Sequence, residues 1–596
     1  MKLLGLVLIF LSLASFATAL PHTFTTSGEH FLLDGKPFQV RCGEMHYSRV
    51  PREYWRDRLR KMKAMGLNTV ATYMFWNIHE PERGTFHFSG NDDVAAFVKD
   101  AQKEGMYVLL RPGPYACAEW EWGGYPYWLS LLGVKVRSRD PEFLKACGEY
   151  LHAVGKQLAP YQITKGGPIL MVQVENEYGS YGSDKEYLGF IRDTLKSSGF
   201  DCPLYTVDGP SDSMINGGTL PDVFAAINFG DNPEGAFQEL AKYRTGQPLM
   251  CGEFYPGWFD QWGQQHNSSP PGDLKDFEWM MSHGVSFSLY MVHGGWTPGF
   301  MNGANVDGGN YHPQTNSYYD DTCIDDAGRP TAKFDAYKAI IQKYLPVGEE
   351  LPELPAPNTA ISIPPIEFTE CATLMENLPT PVISNQPKSF ETLGQPYGFV
   401  LYRHNIKSEY NSLELKNLQD RAIMLPQNVV LDRRLTQSVC NLDVKDGLLD
   451  ILVENLGRVN YGSQIPTETK GISGGVFWGG KEVTGNWMNY GIPMSNLKGL
   501  KFTKKMKPGP AWYRGSFTLI NTGDTFLDMR NWNHGLVWVN GHNLGRFWHI
   551  GPQQTVYVPG CWLKQGKNEI VVFELGEVAN KSVVGVRDPI WETNAS

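Results

Sequence analysis

Between residues 38 and 291 the sequence switches eight times between two hydrophobic periods, and no other feature constrains the fold as much. Short apolar runs, the pattern of buried strands, lie at 38–42, 69–76, 107–110, 169–174, 204–207, 223–229, 249–251 and 287–291. Between them apolar residues recur at helical spacing. Trp55, Leu59 and Met62 are closed by Gly66, Val94, Phe97, Val98 and Ala101 by Gly105, and Leu188, Ile191 and Leu195 by Gly199. Strands alternating with helices argue for a parallel sheet with crossover connections, and eight units argue for a closed (β/α)8 barrel. A last helical pattern at 333–345 completes it.

After the barrel the pattern changes. Pro352, Pro355, Pro357, Pro364 and Pro365 mark a linker, set at 347–375. Helical periodicity then largely disappears. Short apolar runs at 397–402, 449–453, 518–520, 536–539 and 570–573 alternate with turn signals such as Asn540-Gly541, which predicts β-sandwich or jelly-roll structure. The organisation expected is 1–19 leader, 20–346 barrel, 347–375 linker, 376–505 first β-domain and 506–596 second β-domain.

The leader reading rests on Met1-Lys2, an apolar stretch over 3–16 and the small-x-small sequence Ala17-Thr18-Ala19, which is the pattern of a secretory signal peptide. It directs the chain to the secretory pathway, with an extracellular or lysosomal destination. No later stretch is long and apolar enough to span a bilayer. The net charge of −10, one unit more negative without Lys2, argues against nucleic acid or an anionic membrane as partner. Nine widely spaced cysteines contain no CxxC pair, so no zinc or redox motif is indicated, and an odd count leaves at least one thiol unpaired within the chain. Asn267, Asn580 and Asn594 head glycosylation sequons.

Chemistry enters at the ends of strands four and seven. The run Ile169-Leu170-Met171-Val172 leads into Glu175-Asn176-Glu177-Tyr178, and a buried strand ending in two carboxylates, an amide and a phenol must open onto something polar. In a (β/α)8 barrel that place is the C-terminal face. Glu253, in Cys251-Gly252-Glu253-Phe254-Tyr255, ends strand seven by the same count. Two such carboxylates facing one cavity are what glycoside hydrolysis requires: one protonates the leaving oxygen, the other attacks the anomeric carbon or activates water. Taken singly, each glutamate reads more readily as a surface or cap residue, Trp120 and Trp122 as packing, and Cys251 as a small buried hydrophobe.

The residues around these glutamates carry a family resemblance. TYMFWNIHEPERGTFHFSG from Thr72, LLRPGPYACAEWEWGGYPYWL from Leu109, GGPILMVQVENEYGSYG from Gly166, GEFYPGWFDQWG from Gly252 and GLVWVNGHNLGRFWHIGPQQTVYVP from Gly535 resemble the β-galactosidases of glycoside hydrolase family 35. The resemblance runs from about residue 31 to 575 and implies a barrel with two appended β-domains, a retaining exo-acting mechanism and release of terminal β-galactose. Motif by motif it puts Glu177 on the acid/base and Glu253 on the nucleophile. It puts Asn176 on the contact to the sugar 2-hydroxyl, and Tyr73, Glu119, Tyr255 and Tyr290 on sugar-binding positions. It implies a carbohydrate substrate and no metal or organic cofactor, and leaves the oligomeric state open.

Two stretches depart from the family pattern. After strand eight the usual GGTNFG is replaced by Gly294-Gly295-Trp296-Thr297-Pro298-Gly299, and the usual SYDYDAP by Ser317-Tyr318-Tyr319-Asp320-Asp321-Thr322-Cys323. Either Tyr319 takes the contact of that motif's second tyrosine, shifted by one, or the contact is lost, and Trp296 sets a bulky ring where a small polar residue is usual. The competing readings are an exo-glycosidase of the same mechanism with another sugar or linkage, and a carbohydrate-binding protein without catalysis.

Overall fold

The computed structural model describes residues 20–594 apart from 273, 408, 409 and 445; the leader reading at 1–19 lies outside the described residues. Eight parallel strands close into a barrel in chain order: β1 (Arg41–Glu44), β2 (Thr69–Tyr73), β3 (Tyr107–Arg111), β4 (Ile169–Gln173), β5 (Leu204–Asp208), β6 (Phe224–Ile227), β7 (Met250–Phe254) and β8 (Ser286–Leu289). All but two of their residues are buried, because helices cover the outside while side chains fill the inside. Crossover helices include Trp55–Met65, Val94–Lys103, Pro141–Leu158 and Lys185–Ser197, with Ala332–Lys343 last. Gly66 caps the first at φ +107°, a backbone state that glycine reaches without penalty.

The observed elements correct several expected boundaries. Phe38 belongs to a separate antiparallel sheet of Phe24–Ser27, His30–Leu33 and Lys36–Phe38, and β1 begins only at Arg41. Trp76 starts a helical turn, Trp76–His79, rather than ending β2. β7 runs on to Phe254, so Glu253 lies within it.

The proline-rich stretch 347–375 is not a linker throughout. Ile363–Thr373 is an eleven-residue strand of the terminal domain. Its first half pairs with Ser582–Val586 and its second half with Ala511–Leu519, so it joins the two halves of an eight-stranded jelly-roll sheet. Pro364 and Pro365 fall where its register shifts between Ile363 and Ile366, and a strand tolerates lost N–H donors at such an irregularity. The chain therefore enters the terminal domain, leaves to build the first β-domain from a six-stranded and a four-stranded sheet, and returns at Ala511.

Buried polar contacts lock the domains together. Arg458 of the first β-domain donates to Glu121 on the barrel (2.6 Å) and to Glu391, with all three side chains at most 2% exposed. Arg546 of the terminal domain donates to Glu454 (2.8 Å) and, from its backbone N–H, to Asn316 (3.0 Å). All nine cysteines are free thiols, and Cys251 is buried as a small hydrophobe. Asn267 and Asn580 are exposed, as a glycan acceptor must be. Among the described residues no helix is long and apolar enough to cross a membrane.

Arg458→Met leaves Glu121 and Glu391 buried without their cation. A loss of about 3–5 kcal/mol is expected. An unchanged urea-denaturation midpoint would show that the charge network does not hold the domains together.

Candidate active site

At the C-terminal mouth of the barrel lies a cavity of about 300 Å3. The eight residues that the resemblance put at the site line it: Tyr73, Glu119, Asn176, Glu177, Glu253, Tyr255, Tyr290 and Tyr319. Tyr73 is the last residue of β2, Glu253 the last but one of β7, and Asn176 and Glu177 follow β4. Parallel strands of one barrel all point their carboxyl ends the same way, which is why residues as distant in sequence as Tyr73 and Tyr290 meet here.

The turn after β4 separates its two glutamates. Glu175 and Glu177 both adopt left-handed backbone, at φ +59° and +46°. Such a conformation costs a non-glycine residue about 1–3 kcal/mol and persists only when surroundings enforce it. Here the Glu177 N–H donates to Val207 O (3.1 Å) and the Gly179 N–H to Asp208 Oδ1 (2.8 Å). A Cβ on Gly179 would lie 1.8 Å from the Met214 carbonyl oxygen, so only glycine fits the close approach. Glu175 turns away and receives a bidentate pair of bonds from Arg137 (2.8 and 2.7 Å). Glu177 opens onto the cavity.

The two cavity carboxyls sit in unlike surroundings. Glu253 is 6% exposed. Arg111, the last residue of β3, donates to it and also to Glu44. The Tyr255 hydroxyl lies 3.2 Å from its other oxygen. Tyr73's hydroxyl is 3.2 Å from Glu253 and 2.6 Å from Asn176 Oδ1, and its single proton serves one of them at a time. Burial pushes the Glu253 pKa upward, and Arg111 opposes that shift. Among the described residues Glu177 has one close side-chain donor, the neutral Asn228 amide at 2.9 Å, and no arginine in contact. Burial, then the charge of Glu253, raises its pKa to about 7. Glu177 is only half-buried, with solvent at the cavity mouth, which moderates the size of this shift but not its direction.

Glu119 carries a third carboxyl, raised to about 7 by burial and held by the Tyr318 hydroxyl at 2.6 Å. Tyr318 in turn lies 2.7 Å from the Tyr290 hydroxyl. Tyr319 faces the cavity while Tyr318 stands behind it, bridging Glu119 and Tyr290. Trp296 is not part of the cavity wall. Its ring is 6% exposed and its indole N–H donates to Leu544 O of the terminal domain at 2.7 Å, so the departure after β8 serves domain packing. Trp120 and Trp122 are likewise packing residues, Trp120 lying flat on Phe75 at 4.0 Å.

Sequence reasoning missed Trp258, Phe259, Asn305 and Tyr461 in the wall, and Glu44 and Asn228 behind it. Trp258 had a legible signal, an aromatic five residues past Glu253, and its 47% exposure at the rim leaves its face free for a sugar. Tyr461 had none, because it arrives from the first β-domain, where the Tyr115 hydroxyl anchors the neighbouring Asn460 carbonyl at 2.5 Å.

A (β/α)8 barrel holding two unlike carboxyls among tyrosines and tryptophan has the make-up of a barrel glycoside hydrolase. The model of glycosyl hydrolases family 35 matches residues 30–344, and those of the first all-beta domain and the galactose-binding domain of beta-galactosidases match 387–494 and 510–568. The chain belongs to glycosyl hydrolases family 35 and is a glycoside hydrolase. It is 45% identical to the beta-galactosidase of Xanthomonas manihotis, over 90% of this chain and 91% of that one. It is 38% identical to human beta-galactosidase-1-like protein 2 (92% and 88%) and 37% to the beta-galactosidase of Bos taurus (96% and 94%).

The buried carboxyls have a consequence for stability. Glu44, Glu119, Glu177, Asp320 and Glu574 are each raised to about 7, with burial as the main cause. A carboxyl whose folded pKa exceeds its unfolded value contributes stability below the unfolded pKa, near 4, and loses it as pH rises through about 7. His79, held neutral near 4, and His293 and His534 near 3 act oppositely, but only below their unfolded pKa of about 6.5. Between pH 8 and pH 6 the carboxyls therefore decide the sign. The thermal midpoint is expected to be higher at pH 6 than at pH 8, and a higher midpoint at pH 8 would overturn the assignment.

Proposed function

We propose that the chain is a retaining exo-β-galactosidase in which Glu253 is the nucleophile and Glu177 the acid/base. The observation that carries this reading is the asymmetry of the pair. Arg111 holds Glu253 toward the carboxylate form, while Glu177, with no cation in contact, keeps its proton to about pH 7. A nucleophile and an acid need those opposite states at one pH. Glu253 attacks the anomeric carbon as Glu177 protonates the departing glycosidic oxygen, leaving a glycosyl ester on Glu253. Glu177, now ionised, takes a proton from water, the water oxygen attacks the same carbon, and Glu253 leaves as carboxylate.

The exo-acting part rests on shape. The inner cavity of about 300 Å3 lies at the small end of ligand pockets, which span roughly 300–1,000 Å3. Glu177, Tyr255 and Tyr461 also line an outer cavity of about 520 Å3, beside Asn228 and Asn232. We assign the terminal sugar to the inner cavity and the leaving group to the outer one, with Glu177 between them. Asn176, Tyr73, Glu119, Tyr290 and Tyr319 then surround the sugar hydroxyls. The galactose specificity follows from the names of the relatives. Carboxyls that keep their protons into the neutral range suit an acidic compartment of the secretory pathway.

The first test is hydrolysis of β-linked nitrophenyl galactoside, glucoside, N-acetylglucosaminide and fucoside. The galactoside should be strongly preferred, and another preference would reassign the substrate. Glu253→Gln should abolish turnover with the fold intact, since an amide cannot form the ester. For the wild type, kcat/KM should fall tenfold per unit above about pH 7 as Glu177 loses its proton. A rate still climbing through pH 8 would remove Glu177 from that role. Tyr461→Ala should lower kcat/KM for oligosaccharides roughly tenfold, the worth of one stacking contact, and leave nitrophenyl galactoside nearly unaffected. Equal losses on both substrates would place Tyr461 outside the leaving-group side.

A further inference from the structure

A second cavity, of about 250 Å3, lies where the barrel meets the terminal β-domain. It is close in volume to the catalytic cavity, at about 300 Å3. Trp120 and Trp296 form its wall on the barrel side and Trp562 on the other. His542 backs the Trp562 indole in a parallel stack (4.5 Å, 5°), which fixes the plane of that ring.

The polar groups at this cavity have unused capacity. Ser48 lines it at 4% exposure, and its buried hydroxyl has no hydrogen-bond partner. A buried hydroxyl without a partner costs about 1–3 kcal/mol, which a ligand bonded to it would recover. Asp92, at the end of the Gly90–Asp92 turn, lines the cavity too, and among the described residues its carboxylate has no hydrogen bond or ion pair. Burial raises it to about 6, the mark of a carboxylate short of donors. Arg49 completes the lining with its donors already committed to His46 (3.2 Å), Thr297 and the Ala118 carbonyl. Its fixed positive charge disfavours a cationic occupant, for which aromatic walls alone would otherwise be suited.

The free face of Trp562, an acceptor without donors and a spare hydroxyl in a cavity sized for one ring match the C–H face and hydroxyl edges of a sugar. We propose that this cavity is a second, non-catalytic carbohydrate site that takes one neutral pyranose, with Trp562 stacked on the ring and Asp92 and Ser48 bonded to its hydroxyls. It is separate from the catalytic cavity. The Trp120–Phe75 stack and the Arg49 guanidinium, 3.7 Å over the Tyr318 ring, stand between the two.

The test is calorimetric titration of the Glu253→Gln chain with D-galactose, D-glucose, D-mannose and N-acetyl-D-glucosamine, and with tetramethylammonium as the cationic probe. For at least one sugar, a binding component should weaken roughly tenfold or more in Trp562→Ala and in Asp92→Ala, as loss of a stacked ring or a charged hydrogen bond predicts. The same two substitutions in the otherwise unaltered enzyme should leave nitrophenyl galactoside hydrolysis unchanged. Asp92 is only half-buried, so Asp92→Ala keeps the test open should Trp562→Ala not fold. Sugar binding untouched by either substitution, or tetramethylammonium as the one probe that depends on Asp92, overturns the proposal. Free monosaccharides are not substrates for hydrolysis, so failure of the glutamate assignments leaves this readout intact.

Discussion

Arg111 is the interaction on which the cavity at the barrel mouth depends. Glu44, Glu119, Glu177 and Glu253 converge on one poorly solvated space, and like charges there repel strongly. Arg111 reaches Glu44 and Glu253 from one guanidinium and still donates to Gln173 (2.6 Å) and Asn176 (3.0 Å). That takes the planar fork of an arginine; a lysine ammonium has neither the reach nor the number of fixed directions. The same placement explains the asymmetry of the pair. The cation is spent on Glu253 and its neighbour, and Glu177 is left with an amide.

The β-domains are parts of the site rather than tethered modules. Gln553 of the terminal domain accepts hydrogen bonds from the backbone N–H groups of Asn316 and Ser317 (2.9 and 3.0 Å), just before Tyr318 and the cavity-lining Tyr319. Arg458 pins the first β-domain against Glu121 three residues before it delivers Tyr461. The ion pairs at these interfaces are almost fully buried, so breaking one leaves a charge with no solvent to take it. That makes the relative position of the domains as well determined as a core, and it lets a residue of a β-domain serve a barrel cavity.

The sequence by itself determined the barrel, because a strand covered on both faces must be apolar throughout and its crossover helix must be apolar on one stripe. Both periods survive in the residues whatever their neighbours do. It also placed Tyr73, Asn176 and Glu253 at the cavity end of the barrel, since each lies at or just past a strand's carboxyl end. Only the tertiary structure decided what depends on residues distant in the chain: that Glu175 belongs to Arg137 and Glu177 to the cavity, that Tyr319 rather than Tyr318 faces it, that Trp296 packs under another domain, and that a proline-bearing strand at 363–373 completes a sheet whose partner strands lie at 511–519 and 582–586. Those outcomes turn on which partner satisfies a buried polar group or an open sheet edge, and local periodicity carries no record of a partner that arrives from elsewhere in the chain.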